Sequence, residues 1–413
     1  MSLNTKIFIA ALIGIAYGLL LRFYPDTTFF NGSLYVLGIV SGIFIGFLKM
    51  LLVPLVFSSI VIGVASLESG HQLGRVWKIT LLCSLTTMSL SLFLGLLGAH
   101  LFEVGKGLNV ALFQTAMQQH PPTAQNLDAS SFLVNFVQNT LINPFKAFSD
   151  GNVLSVVIFS MLIGLALVYG GERFTGIRRL SQEFFELVMM LVGWLMKLAP
   201  IGILALLAKL IAKEDLSVLS RLAEFAAVVT GTTLFHGIVV LPLLLWIFGK
   251  MSPWTFFKGA RLALVTAFAT SSSSATMPLS MKCAQENLGV RPQIAGFVIP
   301  LGSHLNMDGT ALYEAAAALF VANLIGLDLH LGQQIIVCLT AMIASLGAPG
   351  IPSAGMVTMI MVLQSVGLPA EAIAILLPID RILDTVRTVV NVQGDMMVSV
   401  VVDRYTRIPQ DPS

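Results

Sequence analysis

Sixteen residues, DRILDTVRTVVNVQGD from Asp380 to Asp395, carry three aspartates, two arginines and an asparagine. They lie between the apolar runs AIAILLP and MMVSVVV. On a helix turning by about 100° per residue, Asp380, Asp384, Arg387, Thr388, Asn391 and Asp395 fall within an arc of about 100°. The opposite side carries Ile382, Val386, Val389 and Val390. One face of one helix therefore bears a charged stripe. A solvated amphipathic helix is the plain alternative, and the flanking apolar runs argue against it. Ionisable groups inside apolar sequence are costly and mark substrate or ion pathways.

The stripe has chemical content. The Arg387 guanidinium can hold a carboxylate through two parallel hydrogen bonds. Asp380, two turns earlier on the same face, can orient that guanidinium. Asp384 offers an anion to an ammonium group, and Asn391 can donate to a second carboxylate. Together these groups match a small amino acid with an acidic side chain. Asp395 has no evident substrate role and suits a hard cation that takes oxygen ligands.

Three further motifs interrupt apolar sequence. In NMDGT, Asn306 and Asp308 supply oxygen ligands, and Gly309 permits an unwound backbone. Unwound helices expose carbonyls, which coordinate sodium in transporters. TSSSSATMP (Thr270 to Pro278) is polar and uncharged, so its hydroxyls and backbone can meet a carboxylate without a buried counter-charge. GAPGIPSAG (Gly347 to Gly355) has the small residues and prolines of a tight hairpin or lid. A loop turn or linker is the plain reading of each motif taken alone.

The elements that position these groups follow from composition. Of 413 residues, 56% are hydrophobic and 11% charged, against about a quarter charged in soluble domains. The net charge of +2 gives no reason to expect a nucleic-acid partner. Cys83, Cys283 and Cys338 lie far apart in apolar surroundings and read as core packing. Membrane-length apolar stretches run near 6–22, 34–66, 78–102, 133–169, 178–211 and 220–248. Several exceed a perpendicular span, which implies tilt or breaks. The first reads as a retained span and not a signal peptide. A polar loop is expected over 106–132. After Lys250 the apolar pieces shorten to about 9 to 15 residues, which suits re-entrant hairpins or broken helices. With both termini inside, Arg75, Lys78, Arg173, Arg178, Arg179, Lys250, Lys258, Arg261, Arg404 and Arg407 face the cytoplasm. Arg22, Lys106, Lys146, Lys213 and Arg221 then lie outside, as the positive-inside bias favours.

The four motifs, in this order, resemble the glutamate/aspartate transporter family, also called the dicarboxylate/amino acid:cation symporters. The resemblance covers nearly the whole chain. SSSSATMPLSMKCAQENLGV and NMDGTALYEA are similar to the animal excitatory amino acid transporters in particular. It implies an all-α membrane protein of eight transmembrane helices plus two re-entrant hairpins, assembled as a homotrimer and working as an elevator. The 1–413 chain would be one transporter unit. A scaffold part would take roughly 1–75 and 130–215, and a transport part roughly 76–105 and 216–413. The resemblance also implies a multi-pass protein of the cell membrane that is not an enzyme, needs no cofactor, and uses Na⁺ as coupling ion.

Site roles follow from the same resemblance. Arg387 would bind the side-chain carboxylate, Asp384 the amino group, and Asn391 and Thr388 the main-chain end. Thr310 would add a hydroxyl, and Ser272, Ser273, Ile351 and Gly355 would close over the substrate. One sodium would lie near Gly302, Asn306, Asn391 and Asp395. A second would use carbonyls of His304, Met307, Ser345, Leu346 and Ala348. A third would use Asp308 and Asn306 with Thr86 and Thr87. Glu314 would be a candidate proton carrier.

The chain departs from the family at several points. Ser271 and Thr385 stand where archaeal and animal members, respectively, carry an arginine, and Arg381 is a candidate substitute. His304 replaces a usual threonine, and Cys83 stands where a third-span tyrosine is expected. The favoured function is Na⁺-driven symport of L-glutamate or L-aspartate, with H⁺ as a possible second coupling ion. A C4-dicarboxylate substrate would meet repulsion at Asp384, and a neutral amino acid would leave Arg387 unpaired. An intramembrane hydrolase using a hairpin serine lacks a nucleophile elbow or spaced base. An ion channel is a further alternative, since members of the family can leak anions, and the amino-acid-like stripe argues for transport as the main activity.

Overall fold

The apolar stretches become helices because backbone polar groups in hydrocarbon must be satisfied within the segment. The computed structural model describes residues 3–25, 27–65, 73–106, 141–150, 153–213, 217–346 and 354–406, and every regular element among them is helical. Helices α1 (Leu3–Arg22), α2 (Thr28–Ala65) and α3 (Leu73–Leu101) come first. Short α4 (Pro144–Asp150) precedes α5 (Val153–Gly170). A 3₁₀ turn with Gly171 at φ 53° leads to α6 (Thr175–Lys213). The stretch expected as one span over 133–169 is thus two helices where it is described. The expected loop over 106–132 lies outside the described residues after Lys106.

Helix α7 (Ser217–Phe235) continues through two π-helical turns, His236–Val240 and Leu245–Gly249. Then come α8 (Pro253–Thr270), α9 (Ser273–Leu288), α10 (Pro292–Leu305) and α11 (Asp308–Leu324). Helices α12 (Leu331–Leu346), α13 (Ala354–Ser365) and α14 (Ile373–Thr406) complete the chain as described. Four described stretches are long and apolar enough to cross a membrane: Thr28–Phe47, Arg75–Leu101, Ile158–Leu195 and Leu219–Gly249. The third of these runs through the Gly171 turn and belongs to two helices.

The packing has two groups. Helices α1, α2 and α5 gather on α6 or on one another, and α3 packs with α7 to α14. Between the groups run α6 against α14, α2 and α5 against α13, and α5 against α12. Helix α11 is the central post. Sixteen of its seventeen residues are buried. Its alanine-rich run lets neighbours approach closely: a Cβ on Gly95 of α3 would meet the Leu312 carbonyl oxygen at 2.5 Å. Such small-residue contacts are how helices pack where lipid gives no hydrophobic drive.

Two helical hairpins are present. Helices α8 and α9 pack together, joined through Ser271 and Ser272, and both lie against α14. Ser271 ends α8 in the left-handed conformation at φ 49°, and Ser272 begins α9 in an extended one. Helices α12 and α13 also pack together, but residues 347–353 at their junction lie outside the described residues. Ala348 and Ile351, expected at that tip, are among them.

Candidate functional site

Helix α14 carries the stripe as a single 34-residue helix, and the polar face is turned inward. Asp380, Asp384, Arg387, Thr388, Asn391 and Asp395 are all buried. Of the opposite face, Ile382 is exposed, while Val390 is buried in a second core formed with α8, α9 and α10. The stripe is therefore shared between protein neighbours, and the solvated-helix alternative is excluded.

Arg387 is 1% exposed, so its charge must be compensated by what surrounds it. Its Nη2 donates to Asp380 Oδ1 at 2.7 Å and to Asp384 Oδ1 at 3.0 Å. The guanidinium carbon stands 4.0 Å from the centre of the Tyr313 ring. Its Nε and Nη1 are buried without a hydrogen-bond partner among the described residues. Gly355 and Thr310 adjoin this unpartnered side: a Cβ on Gly355 would lie 3.5 Å from Arg387 Nη1 and 3.2 Å from the Thr310 methyl. A buried donor pair that is oriented but unsatisfied invites a carboxylate. Asp384 is held twice, because Arg381 Nη1 also donates to its Oδ2 at 3.2 Å.

The NMDGT break sits directly beneath. Asn306 and Met307 depart from helical backbone, with ψ of 68° and 56°, between α10 and α11. The expectation that Gly309 supplies the unwinding is corrected here, because Gly309 is already inside α11. Its lack of a side chain serves close approach: a Cβ would meet the Arg387 carbonyl oxygen at 2.7 Å and its Cα at 2.8 Å. Asn391 completes this joint. Its side-chain oxygen accepts from the Gly309 backbone N–H at 2.8 Å, and its Nδ2 donates to Thr310 Oγ1 at 3.2 Å.

On the other side of the break, oxygens gather. The Thr87 hydroxyl of α3 lies 3.0 Å from both Asn306 Oδ1 and Asp308 Oδ1, and 3.1 Å from the Ser84 carbonyl. A single hydroxyl proton cannot serve three acceptors. Asp308 Oδ2 accepts from or shares a proton with His236 Nε2 at 3.0 Å. Asp395 Oδ1 is buried without a partner among the described residues, and Gly302 packs directly against that carboxylate. Gly394 leaves room for the Asn306 amide beside it. Carboxylate and amide oxygens converge here, with Asn306 Nδ2 and Ser84 Oγ also buried without a partner among the described residues, and a hard cation takes oxygen ligands of this kind. Among the described residues no group of three His, Cys, Asp or Glu side chains gathers as a metal site.

Not every expected residue joins. Thr86 is exposed, and its hydroxyl donates to Leu82 of its own helix at 2.7 Å, so Thr87 alone faces the cluster. Ser272 caps α9, its hydroxyl accepting from the Ala275 N–H at 3.1 Å, and Ser273 is buried beside it. Ser345 is buried and donates to the Met342 carbonyl at 2.9 Å. Met307 lies in the break itself, the His304 backbone is in the last turn of α10 before it, and Leu346 ends α12. Glu314, fully buried in α11, accepts from Thr358 of α13, and its second oxygen is unpartnered among the described residues.

Sequence reasoning passed over His236, Tyr313 and Thr358. His236 had a signal, since it is the sole ionisable residue between Glu224 and Lys250. Tyr313 and Thr358 look like ordinary helix residues and gain meaning only from the neighbours that packing supplies.

Comparison with known proteins agrees with this geometry. The family model for the sodium:dicarboxylate symporter family matches residues 3–405. The chain is 35% identical over 440 residues to a putative sodium-dependent excitatory amino acid transporter, glt-4, of Caenorhabditis elegans, covering 96% of this chain and 88% of that protein. It is 33% identical over 445 residues to excitatory amino acid transporter 3 of Oryctolagus cuniculus, covering 97% and 84%. With excitatory amino acid transporter 1 of Mus musculus, identity is 44% over 258 residues, covering 62% of this chain and 48% of the mouse protein. A helical chain with several membrane-length apolar stretches, matched over residues 3–405 by one family model, belongs to the sodium:dicarboxylate symporter family, a family of sodium-coupled membrane transporters.

Proposed function

We propose that this chain is a Na⁺-driven symporter of acidic amino acids, L-glutamate or L-aspartate. The observation that carries the reading is Arg387: buried, held at Nη2 by two aspartates, and open at Nε and Nη1 beside Gly355 and Thr310. In this reading Arg387 binds the side-chain carboxylate and Asp384 the amino group. Thr388, Asn391 and Thr310 meet the main-chain end. Ser272 and Ser273 from one hairpin, and Ile351 and Gly355 from the other, close over the substrate.

Sodium is the coupling ion. Asp308, Asn306 and Thr87 form one site. Gly302, Asn306, Asn391 and Asp395 form another. Carbonyls of His304, Met307, Ser345, Leu346 and Ala348 form a third. Coupling follows from shared residues. Asn391 bonds Gly309 and Thr310, and Gly309 lies on the Arg387 backbone, so a cation that orders the NMDGT break also orders the carboxylate port. Glu314 is the proton-coupling candidate.

The moving part takes roughly 76–105 and 216–413, and the scaffold roughly 1–75 and 130–215. The separate packing of α1, α2, α5 and α6 from α3 and α7–α14 supports this division. Eight spans with two re-entrant hairpins, a homotrimer, elevator motion and cytoplasmic termini complete the proposal. A C4-dicarboxylate substrate is the second reading, favoured by the two guanidiniums already held on Asp384.

The test is uptake of radiolabelled L-aspartate into proteoliposomes under an inward Na⁺ gradient, with K⁺ alone as control. Uptake that needs Na⁺ supports the reading. Uptake of succinate in place of aspartate moves the assignment to dicarboxylates.

A further inference from the structure

Arg381 is the remaining charged side chain of the buried cluster, and neither substrate nor cation has been assigned to it. It is 8% exposed, on the same helix as the stripe and one turn before Asp384. Its Nη1 donates to Asp384 Oδ2 at 3.2 Å, while Arg387 Nη2 donates to Asp384 Oδ1 at 3.0 Å. Both oxygens of the proposed amino-group receptor are thus occupied by guanidinium. Asp380, Arg381, Asp384 and Arg387 sum to zero formal charge, so these four side chains of one helix are balanced among themselves before any substrate arrives.

An incoming ammonium must share or take an oxygen that Arg381 holds. A substrate without an ammonium leaves the Arg381–Asp384 pair intact, and the pair masks the carboxylate that would otherwise repel it. We propose that Arg381 is a specificity-determining positioning residue: it stands on Asp384 as a built-in substitute for the substrate's amino group, lowering discrimination between amino acids and their deaminated dicarboxylate counterparts. The inference rests on the reading that Asp384 receives the amino group. Arg381 acts through Asp384 and touches no substrate in this scheme.

L-Aspartate and succinate differ by one ammonium and form the natural probe pair. The quantity to measure is the ratio of the two dissociation constants, succinate over aspartate, at saturating Na⁺ on the purified full chain in detergent. In Arg381→Gln, and in Arg381→Met should the Gln variant fail to fold, the ratio should rise by about tenfold, since an unmasked carboxylate favours a cation and repels a dianion. Arg381→Lys keeps the charge and should stay within about threefold of the unaltered chain. A ratio that rises by less than about threefold in the neutral variants overturns the inference. Asp384→Asn separates the two levels. If it collapses the ratio while the neutral Arg381 variants do not move it, the amino-group reading stands and the role of Arg381 falls. If it leaves the ratio unchanged, both fall together.

Discussion

A buried arginine with two unpartnered nitrogens is a costly object for a fold to keep. Breaking a buried charge pair costs about 3–5 kcal/mol when one partner is left alone. Asp380 and Asp384 remove that cost on one side of Arg387, and the other side remains for a ligand. Arg387→Ala should therefore abolish aspartate uptake, by on the order of a hundredfold or more, because it removes a charged bidentate contact. Unchanged uptake by that variant would remove the arginine from the site. The two neighbouring threonines of α3 offer a sharper contrast. Thr87→Ala should raise the Na⁺ concentration for half-maximal aspartate binding by on the order of tenfold. Thr86→Ala, at an exposed position bonded to its own helix, should leave it unchanged. A Na⁺ titration of aspartate binding reads both, and equal effects would place the cation elsewhere.

At the scale of elements, the joint between α11 and α14 decides the site. Gly309 lies on the Arg387 backbone with no space for a methyl group. Gly309→Ala should lower stability by about 1–3 kcal/mol, the usual range for overpacking, and weaken aspartate binding with it. Thermal unfolding in detergent, with and without aspartate, measures both effects. A variant as stable as the parent would mean that α14 shifts freely. This joint also marks the limit of what could be read from the sequence. The stripe on α14 was legible because its polar residues recur at helical spacing within apolar sequence. The break at NMDGT was legible because polar residues interrupt an apolar run. Gly309 was misread, since a glycine beside a break looks like a hinge until its neighbour across the interface is known. His236 stands out as the sole ionisable residue between Glu224 and Lys250, but a single histidine has no spacing that names its partner. It opens the π-helical turn that continues α7 and meets Asp308 only through the packing of this segment beside α11 and α14, where Gln393 of α14 also donates to the Gly237 carbonyl at 2.5 Å.

For the whole molecule, the proposed division, with α1, α2, α5 and α6 packed mainly among themselves, predicts relative motion. Spin labels at Leu20 on α1 and Trp254 on α8, both exposed, should report distances that change when Na⁺ and aspartate are added. Labels at Trp254 and Phe93, on α8 and α3 within the second group, should report a distance that holds. The native Cys83, Cys283 and Cys338 would first be replaced. Pulsed EPR gives both distributions, and a constant first distance would rule out one group moving against the other.

Helix α14 follows all other described helices, and it is absent from the stretches apolar enough to span a membrane by themselves. Each Asp or Arg at the centre of a lone helix costs about 2.5–3.5 kcal/mol on insertion. As an isolated segment, α14 would be left in the aqueous phase by the insertion machinery. Its Asp380–Arg387 pairing supplies only part of what it needs, and the rest comes from the helices packed around it, α3 and α7 to α11. Insertion is then expected to be ordered: the earlier helices must already be assembled in the bilayer before α14 has anywhere to go. A glycosylation-mapping reporter fused to residues 373–406 alone should show no insertion, while the same helix in the full chain should be integrated. Cells that shorten the interval between synthesis of α11 and α14 would then make more misassembled protein, even with every side chain in the binding site unchanged.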